Sequence, residues 1–120
     1  MEFSSWGINH SYVDGNVDLG RVAYNMWNGF PHITSGVKKN AKVGHAWIWE
    51  GIRCNVSSIN HSNGKIQISG SPLLYCNWGW GGSSNGWFAN YEDAVVNGEI
   101  RRYIDDNRQI YITGTSYSFP

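Results

Sequence analysis

The sequence predicts an α+β domain, an antiparallel β-sheet with one or two helices. Three observations carry that expectation. One stretch, Asp18 to Asn28, has helical period. The segments from Gly44 onward are aromatic and β-branched, as strands are. Turn residues separate those segments at short intervals, as in sheets built from hairpins.

Residues 1–16 place short apolar pieces among Asn, Ser and Gly and read as loop or edge strand. Leu19, Val22, Ala23, Met26 and Trp27 follow the spacing of one buried helix face. Asp18 reads as the N-cap, and Gly29 followed by Pro31 as the stop. "FPHITSG" is a short strand closed by Gly36, and "VKKNAK" an exposed loop. "HAWIWEGI" is a strand. "IRCNVSSI" and "KIQIS" flank "NHSNG", where Asn63-Gly64 is the strongest hairpin signal in the chain. "PLLYCNW" and "GWFANY" are further strands. Glu92 to Tyr103 has some helical spacing, interrupted at Asn97-Gly98, and "NRQIYITG" is a closing strand. No internal repeat or linker divides residues 1–120, so a single domain is expected.

Composition narrows the function. Aromatics and charged residues are each 15%, the first high and the second low, which excludes a disordered or solvating chain. Formal net charge is zero, so neither nucleic acid nor an anionic membrane is expected as a partner. Lys38-Lys39 and Arg101-Arg102 are short basic pairs of the kind found on solvated faces. No apolar run is long enough to span a membrane, and "MEFSSWGINH" lacks the basic and apolar regions of a secretory signal. Cys54 and Cys76 could pair across strands or stay as small buried hydrophobes. There is no CxxC, and His10, His32, His45 and His61 do not fall at zinc-ligand spacing, so no metal and no cofactor is expected.

His45 opens an apolar strand directly after Gly44, which allows close backbone approach or an unusual backbone angle. A histidine acting as general base needs a second group to fix its tautomer. "CNWGWGG" at residues 76–82 offers an amide, two indoles and three glycines after a later strand. An Asn oxygen could accept from one ring nitrogen, and an indole could keep water off that contact.

Gly44-His45-Ala46-Trp47-Ile48, Glu50-Gly51, Asn77-Trp78-Gly79-Trp80-Gly81-Gly82 and Asn85-Gly86-Trp87-Phe88 together resemble the C-terminal, histidine-bearing half of a streptopain-family cysteine peptidase. The resemblance runs from about Asp18 to the end. It implies the β-rich half of a papain-like fold, an exported protein, and a protein or peptide substrate. It also implies His45 as the catalytic histidine, Asn77 as its polar support and Trp78 as the wall shielding it. Trp80 would line the leaving-group side, with Gly44, Gly79, Gly81 and Gly82 along the substrate backbone.

The chain departs from that family at the nucleophile. The family's cysteine lies far upstream of the histidine at the head of a helix, whereas no cysteine precedes His45 here. Its oxyanion-hole glutamine is missing as well. The resemblance therefore implies a chain inactive in isolation and completed by a cysteine-bearing half. The alternatives are a non-catalytic binding or inhibitory relative, with a homodimer through the exposed sheet face, and an aromatic sugar-binding face.

Overall fold

The computed structural model describes residues 8–38, 43–89, 93–96 and 99–115. The elements are β1 (Ile8–Asp14), α1 (Leu19–Trp27), β2 (His32–Val37), β3 (Gly44–Asn60), β4 (Lys65–Asn77), β5 (Gly86–Phe88), β6 (Asp93–Val96), β7 (Glu99–Arg102) and β8 (Asp105–Thr115). Six strands form one sheet in the order β1-β8-β2-β3-β4-β5, and β6 pairs with β7 as a separate hairpin. Every pairing is antiparallel. One helix on a predominantly antiparallel sheet is the α+β class read from the sequence.

α1 starts where the cap predicts. The Asp18 side chain accepts from the Arg21 N–H at 3.2 Å, and Gly29 follows the helix at φ +89°. Val22 and Ala23 are buried against the sheet, but Trp27 is 68% exposed, contrary to the helix-face reading. At 100° per residue Trp27 sits about a quarter-turn from the middle of the Leu19–Val22–Ala23–Met26 stripe. It stands instead at the rim of a groove between α1 and β3.

The long hairpin β3–β4 is one ribbon rather than two strand pairs. Its four-residue turn, His61 to Gly64, is closed by Asn60, whose Oδ1 accepts from Ser62 N, Ser62 Oγ and Asn63 N. Gly64 takes the left-handed φ of +67°. The Glu92–Tyr103 region holds the β6–β7 hairpin, so strand pairing prevails over helical spacing there. Asn97-Gly98, like most of the "VKKNAK" loop, lies outside the described residues.

Side chains alternate across a strand, so His45, Trp47 and Trp49 share one face of β3. That face carries the core: Trp47, Trp49, Leu74, Cys76, Trp78 and Tyr111 are all at most 2% exposed, with Val22 of α1 and Ala94 of β6 packed onto it. Gly36 fits the site together from β2. A Cβ there would collide with the Tyr103 carbonyl, and Asn107 Nδ2 also reaches within 2.7 Å of that position. Asn107 donates to both Ser35 O at 3.2 Å and Tyr103 O at 2.9 Å, tying β2 to the segment that enters β8.

Candidate active site

His45 stands near the start of β3, half-buried, opposite Gly36 of β2. Four aromatic rings surround it. Trp80 stacks on the imidazole with centroids 4.7 Å apart and planes 21° apart, and Tyr103 tilts against it at 5.5 Å. Trp47 and Trp78 lie nearly parallel to it at 6.3 and 6.4 Å. Trp78 is itself fully buried, packed on Trp47 at 4.9 Å and edge-on to Phe88 at 5.9 Å. The Arg101 guanidinium lies 5.8 Å from the Trp80 ring, extending the stack toward β7.

One polar contact fixes the imidazole. His45 Nε2 donates to the carbonyl oxygen of Trp78 at 2.7 Å. A carbonyl only accepts, so Nε2 carries the proton and Nδ1 presents the lone pair of the neutral ring. The Trp78 backbone is held in turn, because its N–H donates to Asn85 Oδ1 at 3.0 Å. Asn85 supplies a fixing contact that the sequence reading quoted only as part of the motif.

Asn77 is placed differently from the expectation. Its side chain is bonded to Glu50 Oε1 at 2.8 Å through Nδ2, and its Oδ1 accepts from Gly79 N at 3.1 Å. The cause is strand alternation. Asn77 pairs with Ile48, so it points to the face opposite His45, while Trp78, one residue on, returns to the histidine's face. The polar support on His45 comes from a backbone carbonyl rather than from the Asn77 amide.

The glycines separate into two kinds. Gly79, Gly81 and Gly82 have φ of +80°, +63° and +90°, with open space where a Cβ would stand. Backbone conformation, not crowding, demands glycine in that loop. Gly44 needs neither an unusual angle nor a close approach: an added Cβ would meet only ordinary contacts at 3.7 and 4.0 Å. The glycine of close approach beside His45 is Gly36, which the sequence reading used only to end a strand. Ser35, Gly36, Val37, Gly44, Ala46 and Arg108 are among the residues that, with His45, line a groove of about 430 Å³.

Neither thiol serves His45. Cys54 lies nine residues further along the same strand, about 30 Å away at some 3.3 Å per residue. Cys76 pairs with Trp49, four residues along, or about 13 Å. It is fully buried, and burial pushes its thiol up to about 12. Cys54 and Cys76 form no disulfide, so the strand-to-strand bridge left open by the sequence is not made.

Fold and site together give a sheet whose β3 carries a half-buried imidazole, held by a backbone carbonyl inside a cage of aromatic rings. The profile of the peptidase C10 family matches residues 10–88, and the chain belongs to that family, the streptopain family of cysteine peptidases. The match runs from within β1 to the end of β5 and includes His45 and the glycine loop. It begins before Asp18 and stops before the β6–β7 hairpin and β8. No curated protein matches the chain.

Proposed function

We propose that this chain forms the histidine side of a cysteine-peptidase cleft and that the nucleophilic thiolate comes from a polypeptide segment outside these 120 residues. The observation that carries the reading is the 2.7 Å bond from His45 Nε2 to Trp78 O. It commits Nε2 to donation and leaves Nδ1 free in role to take a thiol proton. In the reaction, Nδ1 accepts the proton of the incoming cysteine, the thiolate attacks the peptide carbonyl, and the imidazolium returns the proton to the leaving amine. The surrounding indoles exclude water from the ion pair and strengthen it. Trp80 and the left-handed glycine loop form the wall along which a peptide backbone lies.

The test is reconstitution. The 120-residue chain is mixed with the separately expressed cysteine-bearing half of a C10 peptidase, then assayed by epoxysuccinyl-inhibitor labelling and casein cleavage. Labelling and cleavage are expected from the mixture, absent from either part alone, and lost with His45→Ala. Casein cleavage by the 120-residue chain alone, or a mixture indifferent to His45→Ala, refutes the reading.

One observation favours a second reading, a binding relative without catalysis. On the face opposite α1, Tyr12, Ile110, Ile33 and Ile48 form a continuous cross-strand row, exposed at its two ends (Tyr12 53%, Ile48 37%), with Ile33 half-buried and Ile110 only 6% exposed between them. Such a row suits a protein partner or a second copy of the chain. Concentration-dependent sedimentation of the chain, lost on Tyr12→Lys, supports it; a monomer at all concentrations removes it.

A further inference from the structure

Glu50 does not belong to the ring cage around His45, yet an unbroken path of hydrogen bonds joins the two. His45 Nε2 donates to the carbonyl of Trp78 at 2.7 Å. That carbonyl shares a peptide plane with the Gly79 N–H, which donates to Asn77 Oδ1 at 3.1 Å. The same planar side-chain amide donates through Nδ2 to Glu50 Oε1 at 2.8 Å. All three donors point one way, from imidazole to carboxylate. Two amides in series, each accepting on one side and donating on the other, polarise one another in that direction.

Local structure explains why these groups meet. Trp49 opposes Cys76 and Gly51 opposes Tyr75, so Glu50 is the extra residue of a β-bulge in β3. Bulges re-aim side chains, and this one sets the carboxylate beside Asn77 on the neighbouring strand. Asn77 ends β4, and its bond to the N–H two residues on starts the turn that Gly79 continues with φ +80°. The strand alternation that turns Asn77 away from His45 thus leaves it holding the peptide on which His45 rests.

We propose that Glu50 and Asn77 are positioning residues for His45, acting through the Trp78–Gly79 peptide. Asn77 orients that peptide so that its carbonyl fixes the Nε2–H tautomer, and the Glu50 carboxylate polarises the series toward the imidazole. The catalytic meaning of this arrangement rests on the reading of His45 as the base. Its geometry does not, and the test is chosen accordingly.

The experiment is ¹⁵N NMR of the full 120-residue chain at a pH where the imidazole is neutral, with the His45 ring shifts reporting the tautomer. Wild type is expected to be predominantly Nε2–H. Asn77→Ala removes the Gly79 acceptor, and loss of one ordinary hydrogen bond is expected to speed Gly79 amide exchange about fivefold. The Nδ1–H tautomer of His45 is expected to grow by a similar factor. Glu50→Gln keeps an acceptor for Asn77 and removes only the charge, so its tautomer ratio should fall between wild type and Asn77→Ala. The imidazole of His61, bonded to Tyr24 Oη at 3.1 Å, is the internal standard and should not move. An unchanged His45 tautomer in both variants overturns the proposal, as does an equal shift at His61. Failure of reconstitution with an intact tautomer effect would instead refute the peptidase reading and leave the positioning arrangement standing.

Discussion

His32 offers the sharpest link between structure and solution behaviour. It is 2% exposed, stacked on Trp49 with centroids 5.2 Å apart and tilted against Tyr111 at 4.7 Å. Its Nε2 lies 2.8 Å from Gln109 Oε1, and Gln109 Nε2 donates to Gly15 O, which makes His32 Nε2 the donor. Nδ1 is buried with no hydrogen-bond partner among the described residues. Burial is the main cause that lowers this imidazole from 6.5 to about 4; nearby Arg21 adds to the drop and the Gln109 bond opposes it. Between those values the unfolded chain binds a proton that the folded chain refuses. Stability is therefore intact above about pH 6.5 and falls as pH falls toward 4. From pH 7 to pH 5 this one group costs about 2 kcal/mol. With m of about 1–1.5 kcal/mol/M for a chain of this size, the urea midpoint drops by about 1.5 M. Urea melts of wild type and His32→Gln at both pH values isolate the effect, because groups common to both chains cancel. The wild-type loss should exceed the variant's by about 2 kcal/mol. Equal losses in the two proteins would show that His32 is not the buried neutral group described here.

Two other expectations concern groups away from His45. In the native protein a thiol reagent such as DTNB should titrate one cysteine per chain, half-buried Cys54, whereas fully buried Cys76 with its thiol near 12 should react only after unfolding; two rapid equivalents would contradict the buried site. Asn107→Ala removes the amide that donates to the Ser35 carbonyl, part-buried, and the Tyr103 carbonyl, buried, and should cost about 2–3 kcal/mol, lowering Tm by about 8–12 °C in a thermal melt.

Local signals in the sequence carried most of the fold. Asp18 and Gly29 bracket a helix because both termini are satisfied by short-range chemistry that the residues themselves supply. Asn63-Gly64 marks a hairpin for the same reason, although Asn60 rather than a two-residue turn closes it. His45 and the glycine loop are legible as a pair through their family pattern, and the fold brings them together by hydrogen bond and ring stacking. What escaped was set by distant partners. The orientation of Asn77 depends on register with Ile48 on the neighbouring strand, far away in sequence, and a one-residue difference decides the face. Gly36 is glycine because of Tyr103, and His32 is neutral because of Trp49, Tyr111 and Gln109. None of those neighbours is visible from the local pattern. The β6–β7 hairpin lay in a stretch whose spacing served helix and strand alike, and pairing of Ala94 with Arg101 and Val95 with Ile100 resolved it.

The place of β8 has a consequence for how the molecule is made. The final described strand sits between β1 and β2, the first two described strands. During synthesis the β3–β4 ribbon can zip locally, but β1 has no neighbour to join until residues 105–115 emerge. Until then β2 presents an open edge, ready to recruit strands from other nascent chains. A chain cut short before residue 105 would carry His45 and its glycine loop yet lack the strand that joins β1 to β2. Late closure of this kind makes β8 a checkpoint: the six-stranded sheet is complete only once that strand has been made.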